Sequence, residues 1–300
     1  MERVKYVQNC LLMYNPSSGG GKRVKAQLDK IIEIFQKQDK FLTLYRLDHT
    51  TPSTIEQVLD GGHYDSIIVC GGDGSAKFIG GMLARRNSDI PLGVLPGGTC
   101  NDFARSLGLP TDLLKAAKIL SEGREKWVDV GLIGENEYFV NEVAGGVFVN
   151  VSYNVDDNLK QVWGPLAYYV AGMNELTKVK AFPMVIDTVE GQHYEMDAYI
   201  FLVLNGRNAA GMTDLSKDAI MDDGKMDILV FKKSNLIDMT DTLLKFVTSS
   251  DFQEKCVARI STAGCTISCK EDLMTTVDGE KGPALPLQLK MLKQKIKVLY

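Results

Sequence analysis

Ser66-Ile67-Ile68-Val69-Cys70-Gly71-Gly72-Asp73-Gly74-Ser75 is the stretch on which the fold turns. Its first five residues carry no charge and read as a buried strand, and three glycines then surround one carboxylate. Glycine accepts positive φ and has no side chain to clash, so such a loop lets backbone N–H groups approach an anion closely; phosphate is the natural ligand. Asp73 cannot aid an anion directly, so its use is to bind Mg²⁺ or to organise the hydrogen bonds around the phosphates. The competing explanation is a tight turn with no ligand.

The same rhythm extends to both sides. Upstream, Cys10-Leu11-Leu12-Met13-Tyr14 runs into Asn15-Pro16-Ser17-Ser18-Gly19, and Leu28, Ile31, Ile32 and Phe35 then fall on one face of a 3.6-residue period. Phe41 to Tyr45 is a further strand, and the polar stretch Asp48 to Ser53 starts the next helix. Downstream, Leu92-Gly93-Val94-Leu95 leads into Pro96-Gly97-Gly98-Thr99-Cys100-Asn101-Asp102. Short apolar runs alternating with helical patterns predict parallel strands joined by crossover helices. In an open parallel sheet the loops at the carboxyl ends of strands gather on one edge, so these three loops are expected to form one site. The hydroxyls and amides of Asn15 to Gly19 suit either a phosphate or a helix cap, as do Thr99 and Asn101.

After Trp127-Val128-Asp129-Val130-Gly131 the grammar changes to hairpins, with Gly134-Glu135-Asn136 and Glu190-Gly191-Gln192 as turns. Two helices are expected within this part, near Leu159 to Leu176 and near Leu236 to Val247. The expected organisation is thus α/β plus β. A Rossmann-like three-layer α/β nucleotide-binding domain covers residues 1–125. An antiparallel β-sandwich substrate domain covers 126–300, its last strand able to return to the first domain.

Composition closes off other classes. The chain has 300 residues, 45% of them hydrophobic and 24% charged, as in an ordinary globular protein. A net charge of -4 gives no global basic field for nucleic acid. No apolar run approaches the roughly 18 residues of a membrane span, and Met1 to Tyr6 lacks a signal-like core, which points to the cytoplasm. Six cysteines are too sparse for a disulfide framework, and Cys265 with Cys269 has no partner pair at zinc spacing.

Neither G-x-x-x-x-G-K-[ST] nor a G-x-G-x-x-G after the first strand occurs, so a different nucleotide scaffold is needed. Asn15-Pro16-Ser17-Ser18-Gly19, Gly71-Gly72-Asp73-Gly74-Ser75 and Gly98-Thr99-Cys100-Asn101-Asp102-Phe103-Ala104-Arg105-Ser106-Leu107-Gly108 resemble the ordered signatures of the diacylglycerol kinase catalytic family. Val130-Gly131, Ala144-Gly145-Gly146, Gly164 to Tyr169, Asp222-Asp223-Gly224 and Val277-Asp278-Gly279-Glu280 continue the order seen in its bacterial soluble lipid kinases, so nearly the whole chain is covered. The resemblance implies an enzyme that binds ATP between its two domains and passes the γ-phosphoryl group to the primary hydroxyl of a lipid such as diacylglycerol.

By the same resemblance, Glu280 is the base that takes the hydroxyl proton, with Asp278 in support. If extended, the two would face the same way; the alternative is an acidic hairpin turn. Asp73, Asp102 and Thr99 would sit at the phosphates, and Thr50, in preference to Thr51, matches the family threonine that contacts nucleotide. Ile220, Asp223 and Lys225 match the positions of a structural Mg²⁺ site, joined through water by Asp129. Val162 to Val170 could line an acyl-chain entry, although helical apolar spacing is more often core packing. The implied partners are a lipid substrate and transient, peripheral contact with the inner face of the membrane; a homodimer is compatible.

The chain departs from the family pattern just after Ser75, where Lys77 and Phe78 replace an Asn-Glu pair. Lys77 could reach a phosphate or signal a weakened site. Two alternatives therefore stand beside the lipid kinase. NAD kinase shares the Gly-Gly-Asp-Gly loop, and Asn141-Glu142 resembles its Asn-Glu element. A nucleotide-binding regulator without turnover is the other, against which the presence of Asp73, Asp102 and Glu280 argues.

Overall fold

The structure, a computed structural model, describes residues 8–16, 21–47, 52–146, 180–234, 238 and 256–300. The two helices expected near Leu159 and Leu236, the segment Val162 to Val170, and Ser17, Ser18, Gly19, Thr50 and Thr51 lie outside the described residues. The chain divides into two compact units, Met1–Val128 with Ile296–Tyr300, and Asp129–Lys295.

The first unit alternates strand and helix: β1 (Gln8–Tyr14), α1 (Gly21–Gln36), β2 (Lys40–Arg46), α2 (Pro52–Gly61), β3 (Ser66–Gly71), α3 (Asp73–Arg86), β4 (Leu92–Pro96), α4 (Asp102–Ser106) and α5 (Leu113–Glu122). The strands pair in parallel in the order β2-β1-β3-β4. Val298, in the chain's last strand, continues the sheet beside Leu92, also in parallel. Burial explains the sequence pattern. β3 and β4 are buried at every position and carry unbroken apolar runs, whereas β2, among the described residues, pairs only with β1 and leaves Phe41 60% exposed. On α1 the face toward the core is Val24, Ile31 and Phe35, with Leu28 and Ile32 half-buried; α1 packs against α5 and β2. Each buried side chain of this size contributes about 1.5–3 kcal/mol. Helix ends follow local rules. The Asp112 carboxylate accepts the Lys115 amide at 2.9 Å, and Gly123 closes α5 at φ 74.

The second unit is antiparallel. It takes the later part of β5 (Glu125–Ile133), then β6 (Glu137–Phe139), β7 (Glu142–Gly146), β8 (Phe182–Thr188), β9 (His193–Leu204), β10 (Met226–Lys232), β11 (Val257–Thr262), β12 (Gly264–Cys269), β13 (Met274–Val277), β14 (Glu280–Ala284) and most of β15 (Leu287–Leu299). The order β14-β13-β7-β9-β8-β12-β15 runs through it, with β10 also on β9 and β11 on β10. Both expected turns are present: β5 and β6 pair across Gly134, and β8 and β9 pair across Gly191, each glycine at positive φ. Two apolar clusters cover opposite faces of β9, one containing Phe201 and Val203, the other Ile200, Leu202 and Leu204. That two-sided cover explains the unbroken run Ile200 to Leu204 in an antiparallel strand. Among the described residues no helix is long and apolar enough to cross a membrane.

Candidate active site

In the first unit, two glycine loops leave the ends of adjacent strands β3 and β4 and touch backbone to backbone. A Cβ built on Gly98 would stand 2.4 Å from the Gly72 Cα, and one on Gly97 would stand 3.2 Å from the Gly71 nitrogen. Only glycine permits that approach. The Gly97 amide donates to the Gly71 carbonyl at 2.8 Å, and the Asn15 amide donates to the Cys70 carbonyl at 3.1 Å, so the first loop also starts here. Pro16 follows in a half-exposed turn. A Cβ on Gly71 would collide with the Ser75 Oγ at 2.4 Å; the Ser75 hydroxyl is thus folded back over the loop.

Asp73 begins α3 but serves α4. Its carboxylate accepts the Phe103 amide at 3.0 Å, which is the N-terminal orphan donor that a cap normally satisfies. Asn101, one of the two residues suited to a cap, occupies the N-cap position without capping. At φ 55 it turns its carboxamide onto Gly98, accepting from the Gly98 amide at 2.8 Å and donating to the Gly98 carbonyl at 2.9 Å. The cap is therefore supplied across the site by Asp73, and the two glycine loops are locked to each other by that bond and by the Gly97 amide on the Gly71 carbonyl, while Asn101 stiffens the second loop from within. Burial raises the Asp73 pKa above 3.8, opposed by the nearby amides of Phe103, Asn101 and Asp102. Asp102 is buried, with its Oδ1 3.6 Å from an Arg105 guanidinium nitrogen, while Thr99 is exposed at the tip of the loop. Gly74 and Lys77 are half-buried on the first turns of α3, and Phe78 is exposed.

In the second unit, Asp278 and Glu280 are not on one extended strand. Val277 pairs directly with Glu280, and Asp278 and Gly279 form the two-residue turn between them at φ 49 and φ 80. Positive φ at both positions is the Asp-Gly hairpin pattern, which matches the twist of the flanking strands. Of the two arrangements the sequence left open, extended or hairpin, the hairpin turn is the one formed. Asp278 is buried and its carboxylate accepts three backbone amides, Val140 at 2.9 Å, Asn141 at 2.9 Å and Glu142 at 2.8 Å. Holding a non-glycine residue at left-handed φ costs about 1–3 kcal/mol, and hydrogen bonds to a charged group at roughly 1.5–3 kcal/mol each more than offset it. Glu280 is exposed at the start of β14.

The same unit holds the candidate cation turn. Asp223 accepts the Lys225 amide at 2.8 Å across Gly224; Ile220, Asp223 and Lys225 are all exposed. Asp129, fully buried, accepts the Gly224 amide with Oδ2 and the Gln294 amide with Oδ1, both at 2.6 Å, so it sets the shape of this turn directly. Burial raises its pKa, the two amides lower it, and the charges of Asp223 and Asp222 raise it further. Among the described residues there is no cluster of three or more His, Cys, Asp or Glu able to hold a metal. The donors on the turn would be oxygens only, a set suited to a hard divalent cation.

The chemistry these parts can perform is anion binding at paired glycine loops and proton acceptance by an exposed carboxylate on a clamped turn. Residues 9–133 match the diacylglycerol kinase catalytic domain, and residues 141–300 match the YegS C-terminal NAD kinase beta sandwich-like domain. A diacylglycerol kinase of Staphylococcus carnosus (strain TM300) is 32% identical over 289 residues, covering 96% of this chain and 93% of that one. One from Staphylococcus aureus (strain bovine RF122 / ET3-1) is 31% identical over 288 residues, covering 96% and 90%. A solved diacylglycerol kinase from Bacillus anthracis str. Sterne superposes with a TM-score of 0.76 at 25% identity over 99% of this chain and 98% of that one. A second solved chain from that organism reaches 0.82 at 27% identity, covering 100% and 98%.

Proposed function

The chain belongs to the diacylglycerol kinase catalytic family and is a lipid kinase, and on that premise we propose that it transfers the γ-phosphoryl group of ATP to the primary hydroxyl of diacylglycerol, giving phosphatidic acid. The observation that carries the reading is the backbone contact of Gly72 with Gly98, locked by Asp73 on the Phe103 amide. Two strand-end loops held this way present a rigid backbone surface to phosphate, with the Ser75 hydroxyl at one loop and Thr99 at the tip of the other. Asn15 to Gly19 and Thr50 complete the nucleotide contacts, and Asp102 tunes the same loop through Arg105.

In the transfer, the lipid oxygen attacks the γ-phosphorus, the bond from that phosphorus to the β,γ-bridging oxygen breaks, ADP leaves, and the hydroxyl proton passes to the Glu280 carboxylate. Asp73 keeps the loops that bear the phosphates in register. The carbonyls of Ile220 and Lys225 with the Asp223 carboxylate would hold a structural Mg²⁺, and Mg²⁺ supplies charge neutralisation to the phosphates of ATP when bound. The acceptor's acyl chains keep it in a bilayer, so the enzyme meets it by transient peripheral contact.

One experiment tests this reading: labelled ATP is offered with diacylglycerol, a sphingoid base, NAD or no acceptor. Label in a diacylglycerol product supports it. Label on NAD alone selects an NAD kinase, whose Asn-Glu element Asn141-Glu142 resembles, and tight ATP binding without any product selects a regulator.

A further inference from the structure

Val140-Asn141-Glu142, between β6 and β7, has all three backbone N–H groups and all three carbonyls engaged by just two residues. Asp278 takes four of them: its carboxylate accepts the three amides, and its own amide donates to the Glu142 carbonyl at 2.9 Å. Asn205 takes the other two. Its Nδ2 donates to the Val140 carbonyl at 2.8 Å and its backbone amide to the Asn141 carbonyl at 2.8 Å. Asn205 is itself fixed, because its Nδ2 also donates to the Asp129 carbonyl at 2.9 Å, and it is 1% exposed. The Asn141 carboxamide is anchored on the Asn208 carbonyl at 3.0 Å.

We propose that Asn205 and Asp278 are positioning residues for Glu280, gripping Val140 to Glu142 from opposite sides and so fixing the left-handed turn whose next residue is the base. Three amides on one buried carboxylate leave Asp278 as an anchor, so the proton goes to the exposed Glu280 beside it. Asn205 supplies what Asp278 does not: it holds the Val140 and Asn141 carbonyls, leaving Asp278 only the Glu142 carbonyl besides the three amides. A serine or leucine at 205 could not donate two side-chain hydrogens to two carbonyls. The inference rests on the lipid-kinase reading with Glu280 as base.

A double-mutant cycle on the full chain tests it, using labelled ATP and diacylglycerol in phosphatidylcholine vesicles. Misplacing a reacting group by about 1 Å costs on the order of 10²-fold in rate. Asn205→Ala is therefore expected to lower kcat about 10- to 100-fold in the wild-type background, and by less than about 2-fold in a Glu280→Gln background. The KM for ATP stays within about 2-fold while kcat falls, the split expected when a reacting group is misplaced and nucleotide binding is untouched. Amide exchange at Val140, Asn141 and Glu142 accelerates. An equal loss in both backgrounds, or no loss measured well below the variant's melting temperature, overturns the proposal. Should Asn205→Ala not fold, Asp278→Asn enters the same cycle under the same criteria, since it keeps one acceptor oxygen of the clamp and removes the other. Should the wild type label no lipid, the functional reading fails separately. Exchange then judges the clamp alone: faster exchange at residues 140–142 in the variant supports it, and unchanged exchange overturns it.

Discussion

Adding one methyl group at Gly98 should disable the enzyme while leaving it folded. The new Cβ would lie 2.4 Å from the Gly72 Cα and 3.1 Å from both the Gly72 nitrogen and the Asn101 Oδ1. Carbon atoms rest at about 3.5–4.0 Å, so the loops must part by roughly 1.1–1.6 Å. The movement cannot fall on β4, which is buried throughout, nor on α3, where Ala76 and Ile79 are fully buried. It falls on residues 97–101, carrying Thr99 away from the phosphates and pulling the Phe103 amide off Asp73. Overpacking of this kind costs about 1–3 kcal/mol, a drop of roughly 2–5 °C in melting temperature at this chain size. The rate penalty should be larger, about 10²-fold in kcat, because displacement exceeds 1 Å where the phosphoryl group is held. Initial rates with labelled ATP and diacylglycerol, run well below the melting temperature, measure it. Gly61→Ala is the control, since a Cβ there meets nothing within 4 Å. Wild-type kcat and ATP KM in Gly98→Ala would refute the claim that the paired loops hold the nucleotide.

Glu280→Ala should lower kcat by about 10²–10⁴ with ATP binding retained, and equal turnover would remove Glu280 as the base. Asp73→Asn tests the half-buried carboxylate by pH. Its folded-state pKa lies above 3.8, so ionising it costs the folded state nothing at low pH and progressively more as pH rises through the raised value. The melting temperature of the variant minus that of the wild type should then be more positive at pH 7 than at pH 4.5, and a flat or reversed difference contradicts this. Asp129→Ala strands the Gly224 and Gln294 amides and should cost about 2–4 kcal/mol, seen as a fall of about 3–6 °C; a change under about 1 °C would mean that the carboxylate shapes nothing. Burial pushes the Cys70 and Cys265 thiols up to about 12, with the Glu190 charge adding to the effect at Cys265. Iodoacetamide at pH 8 should leave both unlabelled in the native protein and label both after unfolding, as read by peptide mass; native labelling at the unfolded rate would contradict the assignment.

What could be read directly from sequence was whatever depends on neighbours in the chain. The unbroken apolar run Ile67 to Cys70 announced a buried strand, the spacing of Leu28, Ile31, Ile32 and Phe35 announced a helix, and Gly134 and Gly191 announced turns. Glycine clusters at strand ends announced the two loops that meet backbone to backbone, for the same local reason. Hidden from sequence were hydrogen bonds that close over long chain separations. Asp278 reads as an acidic turn residue, yet its carboxylate is spent on amides near residue 141. Asn101 has the chemistry of a cap and the position of one, but the left-handed backbone at φ 55 sends its carboxamide back to Gly98, and Asp73 caps the helix from thirty residues away. Asn205 gave no signal at all, because nothing local distinguishes a buried asparagine at the end of an apolar strand from a turn residue.

The final strand has a consequence for how the molecule is made. Ile296, Val298 and Leu299 are buried, Val298 pairs with Leu92, and the Tyr300 amide bonds the Arg124 carbonyl at 3.1 Å, all with residues of the first unit. A ribosome finishes residue 128 and must then add every residue of the second unit before it supplies that last strand. At about 5–20 residues per second the delay is roughly 10–30 s. During that interval the nascent first unit has β4 as an uncovered sheet edge, the kind of surface that recruits stray strands. The fold thus ties the maturation of its first unit to a strand made only after the whole of the second, and a nascent chain halted before residue 296 would leave that unit unsealed however complete its own 128 residues are.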